Sequence, residues 1–141
     1  MGKFSLQLEK FKDKVEGRLD LVLQKVALDL TKKVTLKTPV DTGRARASWN
    51  VGVNNVDTRM VPEKVSMSQT GAFQKAINRA RREIARLIWG DTLYITNNVR
   101  YIKYLERGSS TQAPNGMVET TLIDYPLIVK DATREAKQEK P

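Results

Sequence analysis

The stretch Leu93–Met117, LYITNNVRYIKYLERGSSTQAPNGM, combines three local signals that decide the fold. Apolar and polar residues alternate at its start, and this period of two predicts a strand over 92–98 with one buried face. Aromatic and apolar residues then recur at spacings of three and four, which predicts a short helix over 100–107 that ends at Gly108. A rigid strand and a short helix are therefore expected to hold the start of the segment that follows them in the chain.

The segment 108–116, GSSTQAPNG, contains too few apolar residues to bury itself. We expect a surface loop that is either mobile or held by a partner. Tyr101 and Tyr104 either support this loop from behind by packing or are ordinary core residues, and the sequence leaves both interpretations open. Glu106 is expected to support the loop as well, because a carboxylate can accept hydrogen bonds from exposed backbone N–H groups.

A long apolar stripe runs through the N-terminal part of the chain. Its members recur at steps of three and four, which predicts one helix over about residues 4–37, ended by Pro39. The stripe consists of Phe4, Leu8, Phe11, Val15, Leu19, Val22, Val26 and Leu30. Three further leucines lie outside the stripe. They are either scattered surface leucines or part of a second apolar face that another copy of the chain covers. They are Leu6, Leu21 and Leu28.

The same two periodicities predict the remaining elements. Alternation predicts strands over 48–56 and 117–123, and the second is expected to pair antiparallel with the strand of the central stretch. Spacings of three and four predict helices over 72–89 and 124–138. Between them, 57–71 is expected to be an edge strand or an arm ordered only by contact with a partner.

These elements predict a single α+β domain over residues 1–141. We expect a small, mainly antiparallel sheet of three or four strands. The long N-terminal helix and the C-terminal helix would pack on it, and the middle helix would be basic.

The composition excludes several kinds of chemistry. Histidine and cysteine are both absent, which removes thiol nucleophiles, disulfides and zinc sites with nitrogen or sulfur ligands. No cluster of carboxylates suggests a metal or an acid–base pair, so we expect neither a catalytic site nor a cofactor. The longest apolar runs fall short of the ~20 residues that a membrane span needs, so no membrane partner is expected.

The formal net charge is +9, and the basic excess lies in the first and middle helices. Four cations of the middle helix step by four, three and four residues, which places them opposite its apolar face. They are Lys75, Arg79, Arg82 and Arg86. This basic stripe is interpreted either as a solvated polar face or as a surface that meets an anion, namely DNA or acidic protein side chains.

Asp41-Thr42-Gly43 is also the tripeptide of aspartic proteases, where it follows a strand and two copies bring their carboxylates together. Here it follows a helix end and a proline. A structural turn is therefore the favoured interpretation, with the Asp41 side chain bonded to nearby backbone and Gly43 supplying a permissive backbone.

Two motifs carry a family resemblance when they are taken in order with the central stretch. Residues 38–49, TPVDTGRARASW, place a Pro-Val-Asp-Thr-Gly-Arg turn before a strand. A Tyr-x-x-Tyr-Leu-Glu-x-Gly segment and the Gln-Ala-Pro-x-Gly-Met loop of 112–117 follow later. The chain thereby resembles the neck or tail-completion proteins at the head-to-tail junction of tailed bacteriophages, over most of residues 5–139. It departs from the family pattern at Arg107, where an aromatic residue is common, and at Ala45, where a larger aliphatic is usual.

The resemblance implies a non-enzymatic structural protein of the virion, assembled in the bacterial host cytoplasm, that joins tail to head. The implied partners are head-completion, tail-terminator or tail-tube proteins, further copies in a homo-oligomeric ring, and, without sequence specificity, passing DNA. A head-to-tail ring would also cover the edges of a small sheet. The candidate partner-binding residues are Asp41, Arg44, Arg46, Gly108, Ser109, Ser110, Thr111, Gln112, Pro114 and Met117. The alternative is a basic DNA-binding protein that uses the basic stripe.

Overall fold

The computed structural model describes residues 3–4, 19–40, 43–59, 61, 67–108 and 110–138. Its strands are β1 (Lys3–Phe4), β2 (Asn50–Val53) and β3 (Leu93–Thr96). Its helices are α1 (Leu19–Lys37), α2 (Arg44–Ala47), α3 (Gln69–Ile84), α4 (Ile102–Glu106), α5 (Val118–Ile123) and α6 (Tyr125–Gln138). Helices and an antiparallel sheet share one core, which confirms the predicted α+β class.

Helix α1 provides the centre of the core. The described members of the predicted stripe, Leu19, Val22, Val26 and Leu30, are all buried. Thr31 and Thr35 are buried beside them, and each hydroxyl donates to the carbonyl four residues earlier, at 2.8 and 2.6 Å. These threonines therefore add no unpaired polar group to the core. Helix α1 packs against both α3 and α6.

The predicted N-terminal helix differs from the structure in two respects. Phe4, its first predicted residue, lies in β1, and the part of the prediction that falls on 5–18 lies outside the described residues. Leu21 and Leu28 are half-buried against the core of their own chain, so they are neither scattered surface leucines nor a face that requires another copy.

The sheet is built around β3. Strand β2 pairs antiparallel with it, with Val51 opposite Ile95, and the two-residue β1 pairs antiparallel with its other edge. The closest helix is α3, which packs along β2, whereas α6 packs on α1. The expectation that the first and last helices would cover the sheet is not confirmed, because the middle helix α3 contacts the sheet more extensively than α1 or α6 does.

The predicted strand over 117–123 is also wrong, because Val118–Ile123 form α5 and Met117 is its N-cap. Its alternating β-branched residues favour a strand, but two threonine hydroxyls bond the backbone of the preceding turn instead. Thr121 donates to the Met117 carbonyl at 2.7 Å, and Thr120 donates to the Gly116 and Met117 carbonyls at 3.2 Å. Satisfying these carbonyls locally stabilises a helical turn at this position.

The described part of 57–71 is not an edge strand, and its own chain holds it. The Asp57 carbonyl accepts hydrogen bonds from the Thr96 hydroxyl at 2.7 Å and from the Asn50 amide at 3.3 Å. Residues 69–71 already belong to α3, whose N-cap Ser68 accepts a hydrogen bond from the Gly71 N–H. Residue 60 and residues 62–66 lie outside the described part.

Candidate functional site

The Gln112 side chain joins the two segments that the sequence singles out as candidate contacts. Its Oε1 accepts the Val40 N–H at 2.9 Å, and its Nε2 donates to the Val40 carbonyl at 3.2 Å. The Gln112 side-chain amide thus bonds both the N–H and the carbonyl of Val40, as a residue of a neighbouring β-strand would. Residues 39, 40, 43 and 44 before α2 therefore adjoin residues 110 and 112 of the loop after α4, and we call these residues together the turn–loop surface.

The arginines of the turn hold their own backbone in place. Arg46 donates to the Leu36 carbonyl at 2.9 Å and to the Thr38 carbonyl at 3.0 and 3.2 Å, so it caps the C-terminal end of α1. Arg44 donates through Nε to the Val61 carbonyl at 2.7 Å. Burial lowers the pKa of the Arg46 guanidinium. Arg46 is therefore primarily a structural residue, while Asp41 lies outside the described residues.

Glu106 anchors the far end of the loop. Its carboxylate accepts the N–H groups of Met117, Val118 and Glu119 at 2.9, 2.8 and 3.1 Å. These are the unpaired donors at the start of α5, where negative charge is also favoured by the helix dipole. The predicted hydrogen bonds of Glu106 to backbone N–H groups are thus present, and their donors lie at the start of α5, directly after the loop.

Two glycines give the loop its path. Gly108 and Gly116 have φ values of +90° and +84°, which side-chain-bearing residues rarely adopt. A Cβ on Gly108 would lie 2.3 Å from the Pro114 carbonyl oxygen, and one on Gly116 would lie 2.5 Å from the Glu106 carbonyl oxygen. Gly108 therefore allows the two ends of the loop to approach each other closely.

The predicted contact residues of the loop are not equally available to a partner. Thr111, Gln112 and Pro114 are exposed, and Ser110 and Gly108 are half-buried. Met117 is fully buried in the core, so its assignment as a contact residue is wrong. Ser109 lies outside the described residues.

A cleft of about 470 Å³ opens beside the Gln112–Val40 junction. Apolar groups from Pro39, Val40 and Leu105 line it, together with the cationic side chains of Arg44 and Arg100. The described residues around it bring no carboxylate to the cleft. An apolar cleft with positive charge at its wall can receive a side chain or a short segment of another protein.

Tyr101 and Tyr104 are not core residues. Tyr101 is 38% exposed and also lines the cleft, and Tyr104 is 61% exposed. Exposed tyrosines beside arginines are typical of protein-binding surfaces, because a large ring adds contact area with little loss of side-chain freedom. The spacing of the two rings allowed burial in the core. The helix α4 has only five residues, however, and exposes several of its sides to solvent.

The basic stripe does not point in one direction. The Arg79 Nη2 donates to the carbonyls of Ala47 and Trp49 at 2.7 and 3.0 Å and to the Asn50 side chain at 3.0 Å. Its assignment as an anion-facing residue is therefore wrong, and burial lowers the pKa of its guanidinium. Arg86 pairs with Glu83. Lys75 and Arg82 remain exposed.

Within the described ranges, histidine, cysteine, aspartate and glutamate form no group that could hold a metal ion. Gly43 has φ +86°, as expected for a turn, whereas Asp41 and Thr42 lie outside the described residues. Sequence reasoning overlooked Arg100 and Lys103, which flank the tyrosines and are exposed; their charge within a tyrosine-rich segment was the available signal.

Comparisons with family models, with curated proteins and with solved structures find no match for this chain. Among the described helices, none combines the length and apolarity required to cross a bilayer.

Proposed function

We propose that this protein is a structural component of a tailed phage, a tail-completion or neck protein that joins tail to head. The observation that carries the proposal is the Gln112–Val40 junction. It unites the two motifs of the family resemblance into one surface with a cleft and exposed tyrosines. Such a surface serves recognition of another protein.

Ring-like self-association is the second part of the proposal. A head-to-tail contact requires two dissimilar faces on each copy. The turn–loop surface supplies one face. A second is available where α5 meets α6, since Leu122, Ile123 and Leu127 are 44%, 73% and 58% exposed. Neighbouring exposed aliphatic residues favour a contact with another protein.

The test of joining uses the phage that encodes the chain. Particles assembled without the protein should accumulate as separate filled heads and separate tails, as seen by negative-stain electron microscopy. Purified protein added to such a lysate should restore joined particles. Gln112→Ala should restore fewer joined particles, whereas Gln74→Ala, at an exposed position on α3, should act as wild type. Joined particles in the absence of the protein would refute the proposal.

The test of self-association compares two exposed isoleucines. Ile123→Gln should reduce the mass of any ring measured by light scattering, in solution or on added tails, because it places a polar group in the proposed apolar contact. Ile88→Gln is the control, since Ile88 is 54% exposed and belongs to a different region of the chain. Equal effects of the two variants would contradict the assignment of this face.

The salt dependence of binding distinguishes this proposal from the alternative, a DNA-binding protein that uses the basic stripe. Phosphate contacts weaken steeply as salt rises, whereas a contact with a large apolar component persists. Loss of joining between 50 and 300 mM salt together with tight DNA binding at 50 mM would favour the alternative. The internal hydrogen bonds of Arg79 weigh against it, because they remove one of the four cations.

A further inference from the structure

The segment from Arg100 to Arg107 presents an unassigned row of exposed side chains. Arg100, Lys103, Tyr104 and Arg107 are spaced at i, i+3, i+4 and i+7, which places them on one side of the turn that contains α4. All four are exposed, and Tyr101 adjoins them. We call these five residues the basic ridge.

The basic ridge separates two clefts. The cleft already described, of about 470 Å³, lies on the side of Arg44, and a second, of about 410 Å³, is lined by Lys103 and Arg107. Arg100 lines both clefts. Val99 and Ile102 give the second cleft an apolar wall, as Val40 and Leu105 do in the first.

The charge around the two clefts is unbalanced. The described residues that line them include four cations, Arg44, Arg100, Lys103 and Arg107, and one carboxylate, Glu106. That carboxylate already accepts three backbone N–H groups. Within the described ranges, Arg100, Lys103 and Arg107 have no hydrogen bond or ion pair through their side chains, in contrast to Lys37 with Asp124 and Arg134 with Asp131.

We propose that the basic ridge binds an acidic segment of a partner protein, whose carboxylates meet Arg100, Lys103 and Arg107 and whose apolar side chains enter the two clefts. This proposal rests on the joining function and names the chemistry of the partner. A second copy of this chain is disfavoured in the two clefts because the protein carries a net charge of +9, so the ring contact would use the exposed loop residues Thr111 and Pro114 outside them. Single-stranded nucleic acid would use the cations and tyrosines but would leave the apolar clefts unfilled.

The binding test uses the full-length protein and a fluorescein-labelled octapeptide of alternating glutamate and leucine, followed by fluorescence anisotropy. Arg100→Gln should weaken binding about fivefold or more, because it removes a cation shared by both clefts. Arg81→Gln should change binding less than about twofold, since it removes the same charge from an exposed position on α3. Tyr104→Ser should weaken binding and Tyr104→Phe should retain it, because the ring packs against the peptide.

Three outcomes would overturn the proposal. The first is absence of peptide binding at millimolar concentration, and the second is equal weakening by the Arg100 and Arg81 substitutions. The third is tighter binding of an eight-residue thymidine oligonucleotide than of the peptide, with the same dependence on Arg100. That last result would assign the basic ridge to nucleic acid.

The joining assay distinguishes the failure of this inference from the failure of the proposed function. If Arg100→Gln loses the peptide but joins heads to tails as well as wild type, the inference fails and the joining function stands. If wild-type protein does not join heads to tails, the joining function fails irrespective of the peptide result.

Discussion

The indole N–H of Trp49 donates to the hydroxyl of Thr38 at 2.7 Å, and both side chains are completely buried. The same hydroxyl donates to the Val34 carbonyl at 2.7 Å. The Thr38 hydroxyl thus bonds the last turn of α1 and also accepts the N–H of Trp49, the largest side chain of the core. The start of β2 is thereby fixed against the end of α1, close to the turn–loop surface.

Thr38→Val should destabilise the protein by about 1–3 kcal/mol, because it leaves the buried Trp49 N–H without an acceptor. Thr31→Val is the matched control. Thr31 is equally buried, but its hydroxyl bonds only the Ala27 carbonyl of its own helix, so the loss should be about 0.5 kcal/mol or less. Urea unfolding followed by tryptophan fluorescence measures both, and equal losses would contradict the importance of the indole contact.

Glu106→Gln should cost about 1–2 kcal/mol, because the amide has a single acceptor oxygen and no charge for the start of α5. Glu119→Gln, in the first turn of α5, should cost about 0.5 kcal/mol or less, since its exposed side chain can affect the helix only through its charge. Hydrogen exchange should rise at residues 117–121 in the first variant alone. Unchanged exchange there would show that α5 does not need this cap.

Gly108→Ala should destabilise the protein more than Gly90→Ala, by about 1 kcal/mol or more. The two glycines share a positive φ, at +90° and +98°, so the strain of an added methyl group on the backbone is similar. Only Gly108 also has a backbone atom in the way, the Pro114 oxygen at 2.3 Å, while Gly90 has open space. Thermal unfolding of the two variants separates backbone strain from close approach, and equal melting temperatures would exclude a contribution from the approach.

Arg79→Met should destabilise the protein by about 2–3 kcal/mol, since it removes a donor from the carbonyls of Ala47 and Trp49 and from Asn50. Arg82→Met changes the same charge on the same helix and should stay within about 0.5 kcal/mol. Chemical unfolding followed by circular dichroism gives both values. If the two variants were equally stable, Arg79 would again be a candidate for contact with an anion.

Two aspartates should change the acid dependence of stability in opposite directions. Hydrogen bonds from the Arg59 side chain hold the pKa of the Asp57 carboxyl below its usual value. Its stabilisation is therefore complete above the unfolded pKa of about 3.9 and is lost as the pH falls through the lower folded pKa. Melting temperatures should show wild type above Asp57→Asn at pH 7, with the difference shrinking below about pH 4.

Asp29 provides the opposite case. Burial, and then the negative charge of Glu135, raise the pKa of the Asp29 carboxyl. Ionisation therefore opposes folding at neutral pH, and Asp29→Asn should melt above wild type at pH 7, with an advantage that disappears as the pH falls through the raised folded pKa. Parallel acid profiles for the two variants would contradict both assignments.

Local patterns predicted the residues whose environment is set by near neighbours. The apolar spacing of α1 identified its buried side, and alternation identified Leu93 and Ile95 as the inward residues of β3. The turn residue Gly43 also followed from local chemistry. In each case, helical or strand periodicity and turn chemistry carried the information.

Interactions between segments that are far apart in the sequence determine the features that local patterns did not predict. Residues 117–123 have the pattern of a strand, but the carboxylate of Glu106, which precedes them in the chain, caps them as a helix. Arg79 has the spacing of a solvated stripe, but its side chain turns toward carbonyls some thirty positions earlier. Neither contact leaves a signature in the spacing of either segment alone, so sequence periodicity could not reveal them.

Helix α6 covers α1, although residues 38–124 separate the two helices in the chain. During synthesis, Val26 and Leu30 therefore lack part of their packing until α6 has been made and Ala132 and Ala136 complete the core around them. Until that moment the nascent chain displays an unsatisfied apolar helix, which is the kind of segment that chaperones hold. Completion of this core thus requires the synthesis of α6, and ribosomes that stall before α6 should release an aggregation-prone product.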